Sequence, residues 1–277
     1  MNLRLLSLLA AGVGVTALTS AAALAQTITI KSPPVAPPPS FVGSGLLGSY
    51  YGQPGVADND AADAFIQNNT PLATFLATTV DYPQGFDSTV DDSTTLSDFL
   101  GADFATFSDP ALGSNTLGGQ LMTFTGFMNV TLAMDTDPLT DGIQFGLETA
   151  SDDGTTVDIA GQRIIDNGGL HGFQFVGADL SFASEGLYPI DIHYYEGDGG
   201  TGVEFYGFFG GEEESFFGAA SVPGGAAPVF SGEIIFPSSN LFASAAPFAA
   251  PEPGDLALLA AAVVPAGMIL RRRRRTA

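Results

Sequence analysis

The sequence predicts an all-β fold of short antiparallel strands, a β-sandwich or barrel, on three observations. Apolar and polar residues alternate with period two in several segments, glycine-rich turns separate those segments, and no long stretch with a 3.6-residue period competes. In "MTFTGFMNVTL", Met122, Phe124, Met128, Val130 and Leu132 are apolar, whereas Thr123, Thr125, Asn129 and Thr131 are polar. "GIQFGLET" sets Ile143, Phe145 and Leu147 against Gln144 and Glu148. "LYPIDIHYY" places Tyr188, Ile190, Ile192 and Tyr194 on one face, with Asp191 and His193 on the other. "TGVEFYGFF" continues with Val203, Phe205 and Phe209, and "SGEIIFPSSNLF" reads as a closing strand. One short segment, "NDAADAFIQN", has helical spacing.

Both ends of the chain carry addresses. Arg4, an apolar run from Leu5 to Leu18 and the small-residue site Ala23-Leu24-Ala25 form an export signal over residues 1–25, with Gln26 as the expected mature terminus. Residues 26–43 include "KSPPVAPPPS", expected as an extended polyproline spacer. The folded unit is expected over 44–243 and a second linker over 244–250. The last segment, 251–277, runs Pro251-Glu252-Pro253, then about fifteen apolar residues, then Arg271, Arg272, Arg273, Arg274 and Arg275. As a helix the apolar run would span roughly 22 Å, short of a ~30 Å hydrocarbon core. This tail resembles a PEP-CTERM sorting signal of Gram-negative bacteria. The resemblance implies recognition by an exosortase, transient inner-membrane contact and delivery to the cell envelope, surface or extracellular matrix. The alternative is an uncleaved C-terminal anchor.

Charge narrows the function. Six of the eight basic residues lie in the end segments, leaving Lys31 and Arg163. Only Glu252 and Asp255 of the 30 acids lie in the tail, so 28 remain and the middle carries about −26. Nucleic-acid binding needs a basic footprint and is excluded. Divalent cations would be attracted. Without cysteine there are no disulfides, thiolate metal sites or thiol catalysis.

Residues 151–172, "SDDGTTVDIAGQRIIDNGGLHG", hold the most distinctive chemistry. Val157 and Ile159 alternate inward, Gly161 marks a tight turn, and Ile164 or Ile165 returns, which describes a hairpin behind an acidic loop. Together with "GLLGSYYG", "TFTGFMNV", "EGLYPIDIHYYEGDGGTGVEFYG" and "FPSSNLF", this stretch resembles the protective-antigen fourteen-kilodalton domain. That jelly-roll-like β-sandwich module occurs in toxins, glycosidases, flocculins and adhesins, with fibro-slime modules among its relatives. Residues 53–118 match it poorly and read as an elaborated loop region.

In the sugar-binding members an Asp-Asp pair, often joined by a cis peptide, clamps one Ca²⁺ that also binds sugar hydroxyls. The resemblance carries that role to Asp152 and Asp153. It assigns the next loop, "EGDGG", a ligand at Glu196 where an asparagine is usual, with the carbonyls of Asp198 and Gly200 as further candidates. All-oxygen, loop-borne ligands suit calcium. There is no tryptophan, so a stacking surface for sugar falls to Tyr194, Tyr195, Tyr206 or phenylalanines, with Tyr195 the candidate beside Asp152, Asp153 and Glu196.

Enzymatic readings are weaker. Adjacent aspartates cannot readily flank a glycosidic bond, although pairs such as Glu148 with Glu196 stay open. His171 and His193 are too few for a three-histidine zinc site. "DTDPLTDG" begins like a calcium loop, but Pro138 and Gly146 at the twelfth position favour a simple turn. The expectation is therefore a non-catalytic, Ca²⁺-assisted carbohydrate-binding module facing an extracellular glycan or polysaccharide. The alternative is a structural surface or biofilm-matrix protein without a sugar site, and a hydrolase is the distant third.

Overall fold

The computed structural model describes residues 27–40, 42–85, 89–209 and 233–244. Both end signals, including Pro251, Glu252, Pro253 and Arg271 to Arg273, lie outside the described residues, as does most of the second linker.

Two mainly antiparallel sheets face one another. The first contains β1 (Ile28–Ile30), β10 (Gln174–Phe182), β7 (Ile143–Asp152), β12 (Gly200–Phe208) and β13 (Glu233–Ile235) in that spatial order. Two short strands, β4 (Asp81–Tyr82) and β5 (Val90–Asp91), also pair with β12. The second sheet runs β3 (Ala73–Ala77), β2 (Leu46–Tyr50), β6 (Leu121–Val130), β11 (Gly186–Tyr195), β8 (Thr155–Ile159) and β9 (Gln162–Asn167). Its β6 also pairs with β14 (Leu241–Phe242).

The alternation predicts the core well. Met122, Phe124, Met128 and Val130 are fully buried, as are Leu147, Tyr188, Ile192, Tyr194, Val203 and Phe205. Each such side chain contributes about 1.5–3 kcal/mol of apolar burial. Leu132 departs from the pattern: it lies beyond the end of β6 and is 64% exposed. In the β8–β9 hairpin Ala160 and Gly161 both have positive φ, 51° and 76°, as a two-residue turn of the primed type requires. A register shift between Val157 and Asp158 pairs Val157 with Ile165 and leaves Ile164 in the bulge, and both isoleucines are buried.

Three expectations change. Residues 53–118 are more than a loop: they supply α1 (Asn59–Asn68), α2 (Leu96–Leu100), β3, β4 and β5. Helix α1 starts where Asp58 accepts the Ala61 amide, and α2 where Thr95 caps Asp98. The proline-rich segment is not a free spacer, because β1 pairs in parallel with β10 and Val35 donates its amide to the Leu187 carbonyl at 2.8 Å. Finally, the outer face of the second sheet is covered around Leu121 and Tyr195. Val56, Ala62, Leu121 and Tyr195 form a second small core there with Tyr51, Phe65 and Ile66, so α1 shelters what the alternation predicted to be a polar surface.

The "DTDPLTDG" segment is a turn, as expected. Asp135 accepts the amides of Asp137 and Gln144, and Asp137 accepts that of Leu139.

Candidate functional site

Three connections between the sheets meet at one end of the sandwich. Residues 152–154 cross from β7 to β8, 196–199 from β11 to β12, and 168–173 from β9 to β10. They are neighbours because their strands are: Asp152 pairs with Gly202 in one sheet and Thr155 with Tyr194 in the other. The topology thus places Asp152, Asp153 and Glu196 together, with one carboxylate oxygen from each lying within 4.8 Å of the others. The Asp152–Asp153 peptide is cis.

All three carboxylates are sheltered: Asp152 is 9% exposed, Asp153 4% and Glu196 0%. Asp153 is fixed by main-chain donors, the His171 amide at 2.6 Å on Oδ1 and the Gly197 amide at 2.8 Å on Oδ2. Glu196 Oε2 lies 3.2 Å from the Tyr194 hydroxyl, while its Oε1 is buried with no hydrogen-bond partner. Among the described residues no lysine or arginine pairs with the group. Burial, reinforced by the charges of Asp153 and Asp152, pushes the Glu196 carboxyl up to about 9. Burial and the neighbouring Asp153 push Asp152 up to about 6, with His171 pulling slightly the other way.

The "EGDGG" loop is pinned by the segment that the sequence left as a loop. Gly119 donates to the Gly197 carbonyl at 2.7 Å, and Asp92 to the Gly199 carbonyl at 2.9 Å. The carbonyls of Asp198 and Gly200 take no part in those two bonds. A Cβ at Gly200 would stand 2.5 Å from Asp152 Oδ2, so glycine is needed where β12 approaches the aspartate.

Tyr195 is where the structure corrects the sequence reading. It is 1% exposed, and its hydroxyl accepts the Gly169 amide at 2.6 Å. A Cβ at Gly154 would stand 2.1 Å from its ring. Tyr195 therefore supports the aspartate loop from beneath and offers no face to a sugar. Tyr194 and Tyr206 are buried as well. Tyr195 continues the face of β11 that carries Asp191 and His193, and no local pattern shows that α1 covers that face. The apolar side chain that does reach the rim is Leu170, 58% exposed; a Cβ at Gly197 would lie 2.9 Å from its Cδ2 and 3.1 Å from Asp153 Oδ2.

His171 shapes its turn, with ring nitrogens 3.0 Å from the Gly172 carbonyl oxygen and 3.3 Å from that of Asn167. Glu148 lies opposite Tyr206 on the outer face of the first sheet and does not join the cluster.

In structure the chain is similar to the PA14 domain of the antifreeze protein MpAFP, with a TM-score of 0.54 and 20% identity over 74% of this chain and 94% of that one. The fold is a PA14-type β-sandwich. The PA14 sugar-binding domain of an RTX adhesin matches with a TM-score of 0.50 and 20% identity, over 72% of this chain and 98% of that one. At these identities the likeness is one of fold. No family profile and no curated protein matches the chain. Within the PA14-type fold the acidic cluster occupies one end, on the loops that join the two sheets.

Proposed function

We propose that this chain is an exported, non-catalytic carbohydrate-binding module whose site is held by Ca²⁺ at Asp152, Asp153 and Glu196. The observation that carries the reading is the buried, partnerless Oε1 of Glu196 within a cluster of three carboxylates. An all-oxygen, anionic donor set fits a hard divalent cation. When bound, calcium would relieve the carboxylate repulsion and offer coordination positions to sugar hydroxyls. The carbonyls of Asp198 and Gly200 are candidate additional ligands.

The same geometry speaks against hydrolysis. Two carboxyls that cleave a glycosidic bond flank it at about 5–9.5 Å, whereas one oxygen from each of these three lies within 4.8 Å of the others. Delivery to the envelope, surface or extracellular matrix of a Gram-negative cell, through an exosortase acting on 251–277, belongs to the same proposal. The support for it is the sequence of the two end segments.

Calorimetric calcium titration of wild type and Asp153→Asn, followed by a glycan array with and without calcium, tests the reading. Binding of calcium lost in the variant, with calcium-dependent glycan capture, is the expected result. A second reading has one observation in its favour: the tyrosines that might have stacked on sugar are buried. On that reading calcium only stiffens the loops of a structural surface protein, and the array stays blank while calcium still binds.

A further inference from the structure

The site is walled by carboxylates beyond the three that would hold an ion. Asp92, on the segment that pairs with the start of β12, donates its amide to Gly199 and accepts the Gly199 amide on Oδ2 at 3.3 Å. Its carboxylate thus sits on the loop that carries Glu196. Across Gly118, Asp198 approaches the same space: a Cβ at Gly118 would stand 3.4 Å from Asp92 Oδ2 and 3.6 Å from Asp198 Oδ1. Asp198 is exposed and Asp92 half-buried, so both present charge to an arriving ligand.

No lysine or arginine answers them, and His171 on 168–173 is the one imidazole that acts on the cluster. Between the two end signals the only lysine and arginine are Lys31 and Arg163. Lys31 follows β1, whose last pair is Ile30 with Phe182, at the opposite end of β10 from Gln174 and the site. Arg163 is spent on Asp63 at 3.0 Å and Asp158 at 2.8 Å. Two further carboxylates therefore stand on the loop beside the three-carboxylate cluster, which one divalent ion would neutralise only in part. The partnerless Glu196 Oε1 points to a ligand within this group, which an acidic surface alone would not.

Building on the carbohydrate reading above, we infer that the site selects its glycan by charge. It rejects uronate and sulfated sugars and takes uncharged or amine-bearing ones, with a protonated amine facing Asp92 and Asp198. Acidic sugars meet like charge without an arginine or lysine to pair with, and such juxtaposition is a strong discriminator. Rim carboxylates facing an amine add modestly to affinity and are screened by salt.

The test compares three probes on the full chain with calcium: glucosamine oligomers, their N-acetylated counterparts and uronate oligomers. The amine oligomer is expected to bind about fivefold more tightly than the acetylated one, as exposed charge pairs allow. That ratio should fall towards one in the double variant Asp92→Asn/Asp198→Asn, and the uronate should not bind. Uronate binding equal to that of the neutral oligomer overturns the proposal while leaving the carbohydrate reading intact. So does an amine preference that survives the rim variant. Amine binding that persists in Asp153→Asn is adsorption to the acidic surface and also overturns it. Calcium binding with no capture of any of the three removes the carbohydrate reading itself.

Discussion

The Tyr194 hydroxyl lies 2.7 Å from the main-chain carbonyl of Asp152 and 3.2 Å from Glu196 Oε2, tying together two loops that cross between the sheets. A phenol has one hydrogen to give, and the shorter contact takes it. Glu196 Oε2 is the second acceptor within reach of that hydroxyl, and the Tyr194 hydrogen bond favours the charged carboxylate against the burial and the neighbouring charges that raise its pKa.

Tyr194→Phe removes the tie and leaves the ring in the core. It is expected to cost about 1–3 kcal/mol, the penalty for stranding buried polar groups. Calcium affinity is expected to fall about tenfold, as losses in groups that orient metal ligands do. Urea unfolding and calorimetry check both. Unchanged calcium affinity would make Tyr194 a core residue only.

Stability of the metal-free chain is expected to decrease as pH rises. Folded Glu196 holds its proton to about 9, whereas an unfolded glutamate releases it near 4.5. Between those values the folded chain binds more protons than the unfolded chain, so raising the pH favours unfolding. Asp152 adds to the same slope between 3.8 and about 6. Calcium has to displace these protons, so its affinity climbs across the same window and its presence flattens the decline. Unfolding at several pH values, with chelator and with calcium, shows the slope directly. A flat metal-free profile would contradict it.

Helix α1 is latched by one carboxylate. Asp63 reaches His193 Nδ1 at 2.8 Å and Arg163 at 3.0 Å, while His193 Nε2 lies 3.2 Å from Asp191. Burial opposes the charged imidazole, but Asp191 and Asp63 outweigh it and raise its pKa above 6.5. The stabilisation is full below 6.5 and is lost as pH rises through the raised value. Asp63→Asn should bring the histidine titration seen by NMR back down. It should also speed amide exchange in Asn59–Asn68, at a cost of about 1 kcal/mol for these partly exposed pairs. Exchange that does not respond would show that apolar packing alone docks the helix.

Gly154→Ala pushes a methyl into the Tyr195 ring, where a Cβ would stand 2.1 Å away. Overpacking of this kind costs about 1–3 kcal/mol. Combined with Tyr195→Ala, the two losses should be clearly non-additive, because the second change removes the obstacle. Additive losses in a double-mutant cycle would mean that the alanine clashes elsewhere.

Strands β6 to β9, β11 and β12 were legible because period-two alternation is a local property, and Val157, Ile190 and Phe205 all land in the core it assigns, whereas β10 was not singled out. The acidic pair and Glu196 were legible through resemblance. What the sequence did not show is anything fixed by distant packing. Tyr195 reads as a surface residue because its neighbours Asp191 and His193 are polar, and it is buried because α1, over a hundred residues earlier, lies across it. Asp92 reads as one more acid in a polar run, and only the pairing of β5 with β12 brings it to the rim.

The pairing of β1 with β10 has a practical corollary. Ile28, Thr29 and Ile30 occupy the free side of β10 at Leu180, Ser181 and Phe182. A protein trimmed at Ser40, as if everything before it were spacer, would leave that side as a naked sheet edge with unpaired main-chain donors and acceptors. Such an edge recruits strands from other copies. The shortened molecule would self-associate, and a search for its ligand would begin with a precipitate.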